Sequence, residues 1–161
     1  TNPYQTIDIY NVKTMVNYYN EIMNEPHVFQ IANNAFKQLR SSNKKNQTII
    51  SSGSSGSGKT HSCALIMKYL TYVSSNFEVL ETGIQNKILQ SNFILEAFGN
   101  AKTLLNNNSS RMGKFTKMIF DKEYNLIGAS IDTYLLEKIR VVRHYTGERN
   151  YHIFYLILKG L

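Results

Sequence analysis

Apolar residues recur along this chain at two different spacings. From Val28 onward, Val28, Ile31, Ala32, Ala35, Phe36 and Leu39 are separated by three or four positions. That spacing lines one face of a helix. A shorter helix is expected before it, from Val12 to Met23, behind an entry segment Thr1–Tyr10 whose Asn2-Pro3 favours extended or looped backbone. Ser41 to Gln47 is polar and reads as a loop. Thr48-Ile49-Ile50-Ser51-Ser52 is short and partly β-branched, which predicts a buried strand. Good helix formers then run from Lys59 to Val73, with Leu65, Leu70 and Val73 available for a core. After a loop from Ser74 to Gly83, a further helix is expected over Gln85–Phe98, with Ile88, Leu89, Leu95 and Phe98 inward and Gly99 ending it. Lys114–Phe120 and Leu126–Tyr134 read as two strands joined by a turn at Asp121–Asn125, with Ile127, Ala129 and Ile131 alternating toward a core. A last helix is expected from Glu148 through Phe154 and Leu158 to Gly160.

Strand, Gly-rich loop and helix follow one another without a break, and this order gives the Ser/Gly run its meaning. A run of Ser51 to Gly58 alone reads as a flexible linker. Followed by Lys59-Thr60 and a helix, it becomes Gly53-Ser54-Ser55-Gly56-Ser57-Gly58-Lys59-Thr60, the spacing G-x-x-x-x-G-K-[ST]. Glycines let successive backbone N–H groups curl around phosphate oxygens, and the helix behind them adds its positive end. Lys59 supplies a point charge for the β- and γ-phosphates, and the Thr60 hydroxyl is a ligand for Mg²⁺.

A second polar segment, Asn106-Asn107-Asn108-Ser109-Ser110-Arg111, is open to two readings: an ordinary surface loop, or a sensor that closes over a γ-phosphate and Mg²⁺. Asp132, within the second strand, is a weak acidic candidate.

Composition narrows the rest. With 161 residues, 42% of them hydrophobic, the chain suits one domain or a compact piece of one. No apolar run approaches the ~18 residues of a membrane span, and the N-terminus has no signal-peptide pattern. Cys63, the single cysteine, has no internal disulfide partner, which favours a reducing intracellular setting, and it reads as a packing residue. Formal net charge is +7, but the lysines are scattered and Lys44-Lys45 is the only adjacent basic pair. A solvated surface is favoured over a nucleic-acid interface.

Beyond the phosphate loop, further blocks stand in a fixed order: Asn2-Pro3-Tyr4 with Tyr10, Ile94-Leu95-Glu96-Ala97-Phe98-Gly99-Asn100-Ala101-Lys102-Thr103, Asn106 to Phe115, Tyr134-Leu135-Leu136-Glu137-Lys138, and Glu148 to Tyr155. In these the sequence resembles the motor head of myosins over essentially its whole length. Kinesins share a related phosphate loop and an Asn-x-x-Ser-Ser-Arg sensor, but not the Leu-Glu-Ala-Phe-Gly-Asn block or the last block.

The resemblance implies an α/β fold of the P-loop NTPase type, a mixed sheet flanked by helices, with residues 1–161 forming part of a motor domain. It implies that Asn2, Pro3, Tyr4 and Tyr10 lie against the adenine of ATP. Asn106 would bond phosphate, Ser109 would stand near the γ-phosphate and attacking water, and Ser110 would join Thr60 on Mg²⁺. Arg111 would pair with a glutamate on a second sensor loop, Asp-Ile-x-Gly-Phe-Glu. The chain ends before any such segment, so the partner of Arg111 is expected to be missing from it, together with the actin-binding and converter regions. Actin filaments, the remainder of the head and light chains are the implied partners, and the cytoplasmic cytoskeleton the implied location. An alternative is a catalytically inactive nucleotide-binding scaffold derived from such a head. A kinesin-like P-loop motor is the third reading.

Departures from the family pattern point to a divergent class. Ser54 and Ser57 stand where glutamate and alanine are usual, and Gln5-Thr6 replaces a basic pair. Phe93 replaces a proline, Met112 a phenylalanine, and His61-Ser62-Cys63-Ala64-Leu65 is a less polar helix start.

Overall fold

The computed structural model of the chain describes residues 5, 7–41, 46–75, 77 and 83–160. Helices α1 (Val12–Tyr19), α2 (Val28–Arg40), α3 (Lys59–Ser74) and α4 (Ile84–Gly99) come first. Two-residue strands β1 (Asn100–Ala101) and β2 (Ser109–Ser110) pair with each other, and β3 (Gly113–Phe120) pairs with β4 (Leu126–Tyr134). A 3-10 turn at Lys138–Val141 and helix α5 (His152–Gly160) complete the order. Both sheets are antiparallel. Among the described residues no helix is long and apolar enough to cross a membrane.

Local chemistry sets the helix starts. The Asn11 side chain caps α1 by accepting from Thr14 N at 2.8 Å. His27, next to Pro26, caps α2 by accepting from Phe29 N at its Nδ1. α1 is shorter than the sequence predicts. Glu21 takes a positive φ of 59°, which ends the helix two residues after Tyr19 and leaves Ile22 exposed.

The main core joins three helices. Met15 and Tyr18 of α1, Phe29, Ala32 and Phe36 of α2, and Leu65, Tyr69 and Val73 of α3 pack together. Each of the larger apolar side chains, Met15, Phe29, Phe36, Leu65 and Val73, contributes about 1.5–3 kcal/mol by leaving water. The buried face of α2 is turned from the predicted one: Phe29 and Asn33 face in, and Ile31 faces out. Asn33 is tolerated there because its Nδ2 donates to Tyr18 O at 2.8 Å, satisfying a carbonyl at the end of α1. α3 is central. Met67, on another of its faces, meets Ile88 of α4 and Leu126 of β4 in a second small core.

Three expected core or strand positions are corrected. Residues 48–52 form no strand: no described segment pairs with them and Ile50 is 84% exposed, so backbone pairing and burial, the two requirements of a buried strand, are both unmet. Phe98 lies on the exposed side of α4. Ile127 is exposed because the β3–β4 register shifts between Ile119 and Phe120. Ile119 pairs with Gly128 and Phe120 with Leu126, which leaves Ile127 as the extra residue of a bulge and turns Leu126 inward. The last helix starts at His152 rather than Glu148. Arg149 N–H is already committed to Lys102 O at 3.0 Å, and Tyr151 bridges to Ala101.

Candidate phosphate site

The Gly-rich loop has the backbone its sequence demands. Gly56 and Gly58 take φ of 75° and 92°, a region that costs other residues about 1–2 kcal/mol. At Gly53 a side chain would meet Ser57 Oγ at 2.8 Å. The loop is therefore a tight cradle of bare backbone. Gly58 is the N-cap of α3, and Ser62 N closes the first helical bond onto Gly58 O at 2.9 Å. Lys59 folds back over the loop, its Nζ donating to Gly53 O and Ser54 O, both at 2.6 Å. A cation poised above the curled backbone at a helix N-terminus is a fitting place for the phosphates of a nucleotide.

The second polar segment lies against this loop. Ser109, buried in β2, has its Oγ 3.2 Å from Ser55 Oγ. β2 is held by its pairing with β1, and Asn106 shapes the turn between them. Its backbone bonds Thr103 in both directions, and its Oδ1 accepts from Asn108 N at 3.0 Å. Asn106 is thus turned onto its own loop. Ser110 Oγ donates to Met112 O at 3.0 Å, and no hydrogen bond among the described residues joins it to Thr60. Also among the described residues, no three His, Cys, Asp or Glu side chains gather as a metal site. Mg²⁺ commonly rests on one or two protein oxygens plus phosphates, so the Thr60 and Ser110 hydroxyls remain chemically suitable for it.

Arg111 links the second polar segment to a later part of the chain. Its Nη1 donates to Ser109 Oγ at 3.2 Å, and its Nε donates to Glu137 Oε2 at 2.5 Å. Glu137, just past β4, therefore pairs with Arg111, and it is a different residue from the second-sensor glutamate that the resemblance implies. Glu137 also accepts from Arg140, at Oε2 from Nε (2.8 Å) and at Oε1 from Nη2 (3.2 Å). Arg140 is only 3% exposed and has a second carboxylate nearby, with Glu148 Oε2 2.9 Å from its Nη1, a charge contact without hydrogen-bond alignment. The bonds from Arg140, and then from Arg111, hold the Glu137 carboxyl below the usual glutamate range, against the opposing effect of burial. Leu136-Glu137-Lys138 carried no chemical signal in the sequence. Only the fold brings this glutamate back to Arg111.

The remaining candidates are spread around these two loops. Asn2, Pro3 and Tyr4 lie outside the described residues. Tyr10 is half-buried and packs on His27 (ring centroids 5.5 Å apart) and edge-on against His61 (5.7 Å) in the first turn of α3, which brings it next to the phosphate-loop helix. Asp132 pairs with Lys117 at 3.4 Å on an exposed face of the hairpin, a contact worth about 0–1 kcal/mol. Cys63 is a half-buried free thiol.

Comparison with known proteins shows the family. The family model described as myosin head (motor domain) matches residues 1–161. Myosin IE heavy chain of Dictyostelium discoideum is 47% identical over 163 residues, covering 100% of this chain and 16% of that protein. Unconventional myosin-Vb of Homo sapiens is 48% identical over 156 residues, covering 96% of this chain and 8% of its own length. Unconventional myosin-Ia of Gallus gallus is 45% identical over 161 residues, covering 99% and 15%. The chain belongs to the myosin head family, and it spans about a sixth or less of the length of these relatives.

Proposed function

We propose that the chain is the ATP-binding part of an actin-based myosin motor, coupling Mg·ATP binding and hydrolysis to movement along actin filaments. The observation that carries this reading is the contact of Ser55 Oγ with Ser109 Oγ at 3.2 Å, which joins a phosphate cradle to a separate hydroxyl- and arginine-bearing loop. A loop that only bound nucleotide would not need a second loop against it. A loop that reads the γ-phosphate does.

In this reading residues 1–161 are part of a motor domain of the P-loop NTPase type. The backbone of Gly53, Ser54, Ser55, Gly56, Ser57 and Gly58 cradles the phosphates, and Lys59 neutralises charge on the β- and γ-positions. Thr60 and Ser110 hold Mg²⁺, which when bound screens the phosphate oxygens from one another. Asn106 bonds phosphate, and Ser109 stands beside the water that attacks the γ-phosphate in line. Arg111 holds Ser109 in place. Asn2, Pro3, Tyr4 and Tyr10 line the adenine side. Catalysis is then mostly positioning and charge stabilisation. Actin filaments and light chains would engage other parts of the head, in the cytoplasmic cytoskeleton.

The test is calorimetric titration of the intact protein with Mg·ATP, before and after Lys59→Ala, together with its actin-activated turnover. Binding abolished by Lys59→Ala and turnover stimulated by actin are expected. Unchanged affinity in Lys59→Ala would reject the loop assignment. Binding without any turnover would make the protein a nucleotide-dependent scaffold.

A further inference from the structure

We infer that Glu137 is a positioning residue of the phosphate site, holding the Arg111 guanidinium so that its Nη1 stays on Ser109. This deepens the function proposed above and rests on it. Glu137 grips Arg111 twice. Its backbone N–H donates to Arg111 O at 3.0 Å, and its carboxylate accepts from Arg111 Nε at 2.5 Å. A guanidinium is planar, so fixing Nε and the main chain fixes the direction of Nη1. Nη1 then reaches Ser109 Oγ at 3.2 Å, and that oxygen is 3.2 Å from Ser55 of the phosphate loop.

Glu137 itself has little freedom. Arg140 bonds both of its carboxylate oxygens, and the Tyr151 hydroxyl donates to its backbone carbonyl at 2.7 Å. Arg140 is anchored in turn, with Nη1 donating to Arg149 O at 3.1 Å and its own carbonyl accepting from Asn150 Nδ2 at 2.7 Å. The result is a continuous polar chain from a buried arginine to the phosphate loop, with Glu137 as the one carboxylate among the described residues that both guanidiniums share. A group that served Arg140 alone would have no reason to hold Arg111 as well. Glu148 already gives Arg140 a second carboxylate, so the neutral variant Glu137→Gln does not strand a buried charge.

Glu148→Gln is the matching control. It removes a carboxylate from Arg140 and leaves Arg111 untouched. In the intact head, affinities for fluorescent ATP and ADP analogues and the single-turnover rate of γ-phosphate cleavage separate the two roles. Glu137→Gln should leave ADP affinity within about twofold and slow cleavage about tenfold or more. Glu148→Gln should lower the melting temperature while leaving cleavage near wild type. Combining Glu137→Gln with Arg111→Ala should be no slower than Arg111→Ala alone, because both act through one side chain. Should Glu137→Gln not fold, Arg111→Lys carries the test, since an ammonium cannot span Glu137 and Ser109 as the fork does, and the same slow cleavage is expected. Wild-type cleavage in Glu137→Gln or in Arg111→Lys, equal slowing by Glu148→Gln, or additive losses in the double variant would overturn the inference alone. A wild-type protein that binds neither analogue would overturn the proposed function and this inference with it.

Discussion

Ser55 Oγ lies 3.2 Å from Ser109 Oγ, although the two residues are 54 positions apart in the chain. The phosphate loop and the second polar loop thus meet through two small hydroxyls. Either hydroxyl is able to donate, so the pair is a contact that a phosphate oxygen can replace without leaving a buried group unpaired.

Ser109→Ala follows from this relationship. The substitution removes the hydroxyl that Arg111 and Ser55 share and adds no bulk. ADP affinity should hold within about twofold, while γ-phosphate cleavage slows by about 10–100-fold. Rapid-quench measurement on the intact protein checks the prediction, and a wild-type cleavage rate would remove Ser109 from the site.

His27 makes stability depend on pH. Its Nδ1 accepts from Phe29 N at 3.1 Å, its ring stacks on Tyr18 at 4.9 Å, and burial lowers its pKa from the ordinary 6.5. The unfolded chain therefore takes up the proton first. Stability is fully present above the ordinary histidine value and falls as the pH drops through it toward the lowered one. Protonation at Nδ1 also abolishes the cap of α2, a loss of about 1 kcal/mol. The melting temperature should decline from about pH 7.5 to about pH 5.5, and His27→Asn, which keeps an acceptor but does not titrate, should flatten that decline.

Tyr69 is fully buried, stacks on Phe29 with ring centroids 5.3 Å apart, and has no hydrogen-bond partner for its hydroxyl among the described residues. Removing an unpaired polar atom relieves a desolvation cost. Tyr69→Phe should be neutral or stabilising by up to about 1 kcal/mol, whereas Tyr69→Ala should cost about 3–5 kcal/mol through the cavity it leaves. Denaturant midpoints distinguish the two, and a clear loss in Tyr69→Phe would show that the hydroxyl is bonded after all.

Local chemistry was legible in the sequence. The tight backbone of Gly53 to Thr60 was readable from its spacing, because positive φ and bare backbone are properties that glycine confers without help from the fold. The limits of α2, α3, β3 and β4 were also readable to within a residue or so, since periodicity and turn residues act over a few positions. Asn106 to Arg111 was recognisable as a composition, but as a sensor only beside the first loop.

Which side chains meet was decided by tertiary structure. The face of α2 turned because Asn33 finds a carbonyl of α1, and Ile127 turned out because a bulge shifted the register. Neither event has a signature within its own segment. Glu137 is the plainest case. By itself it is one glutamate after a strand, and the sequence left Arg111 without a partner in the chain. The β3–β4 hairpin carries the backbone away from Arg111 and returns it, so that Glu137 N–H reaches Arg111 O and the carboxylate reaches the guanidinium. Charge pairing across such a return depends on strand length and register, quantities that belong to the folded chain and to no local stretch of it.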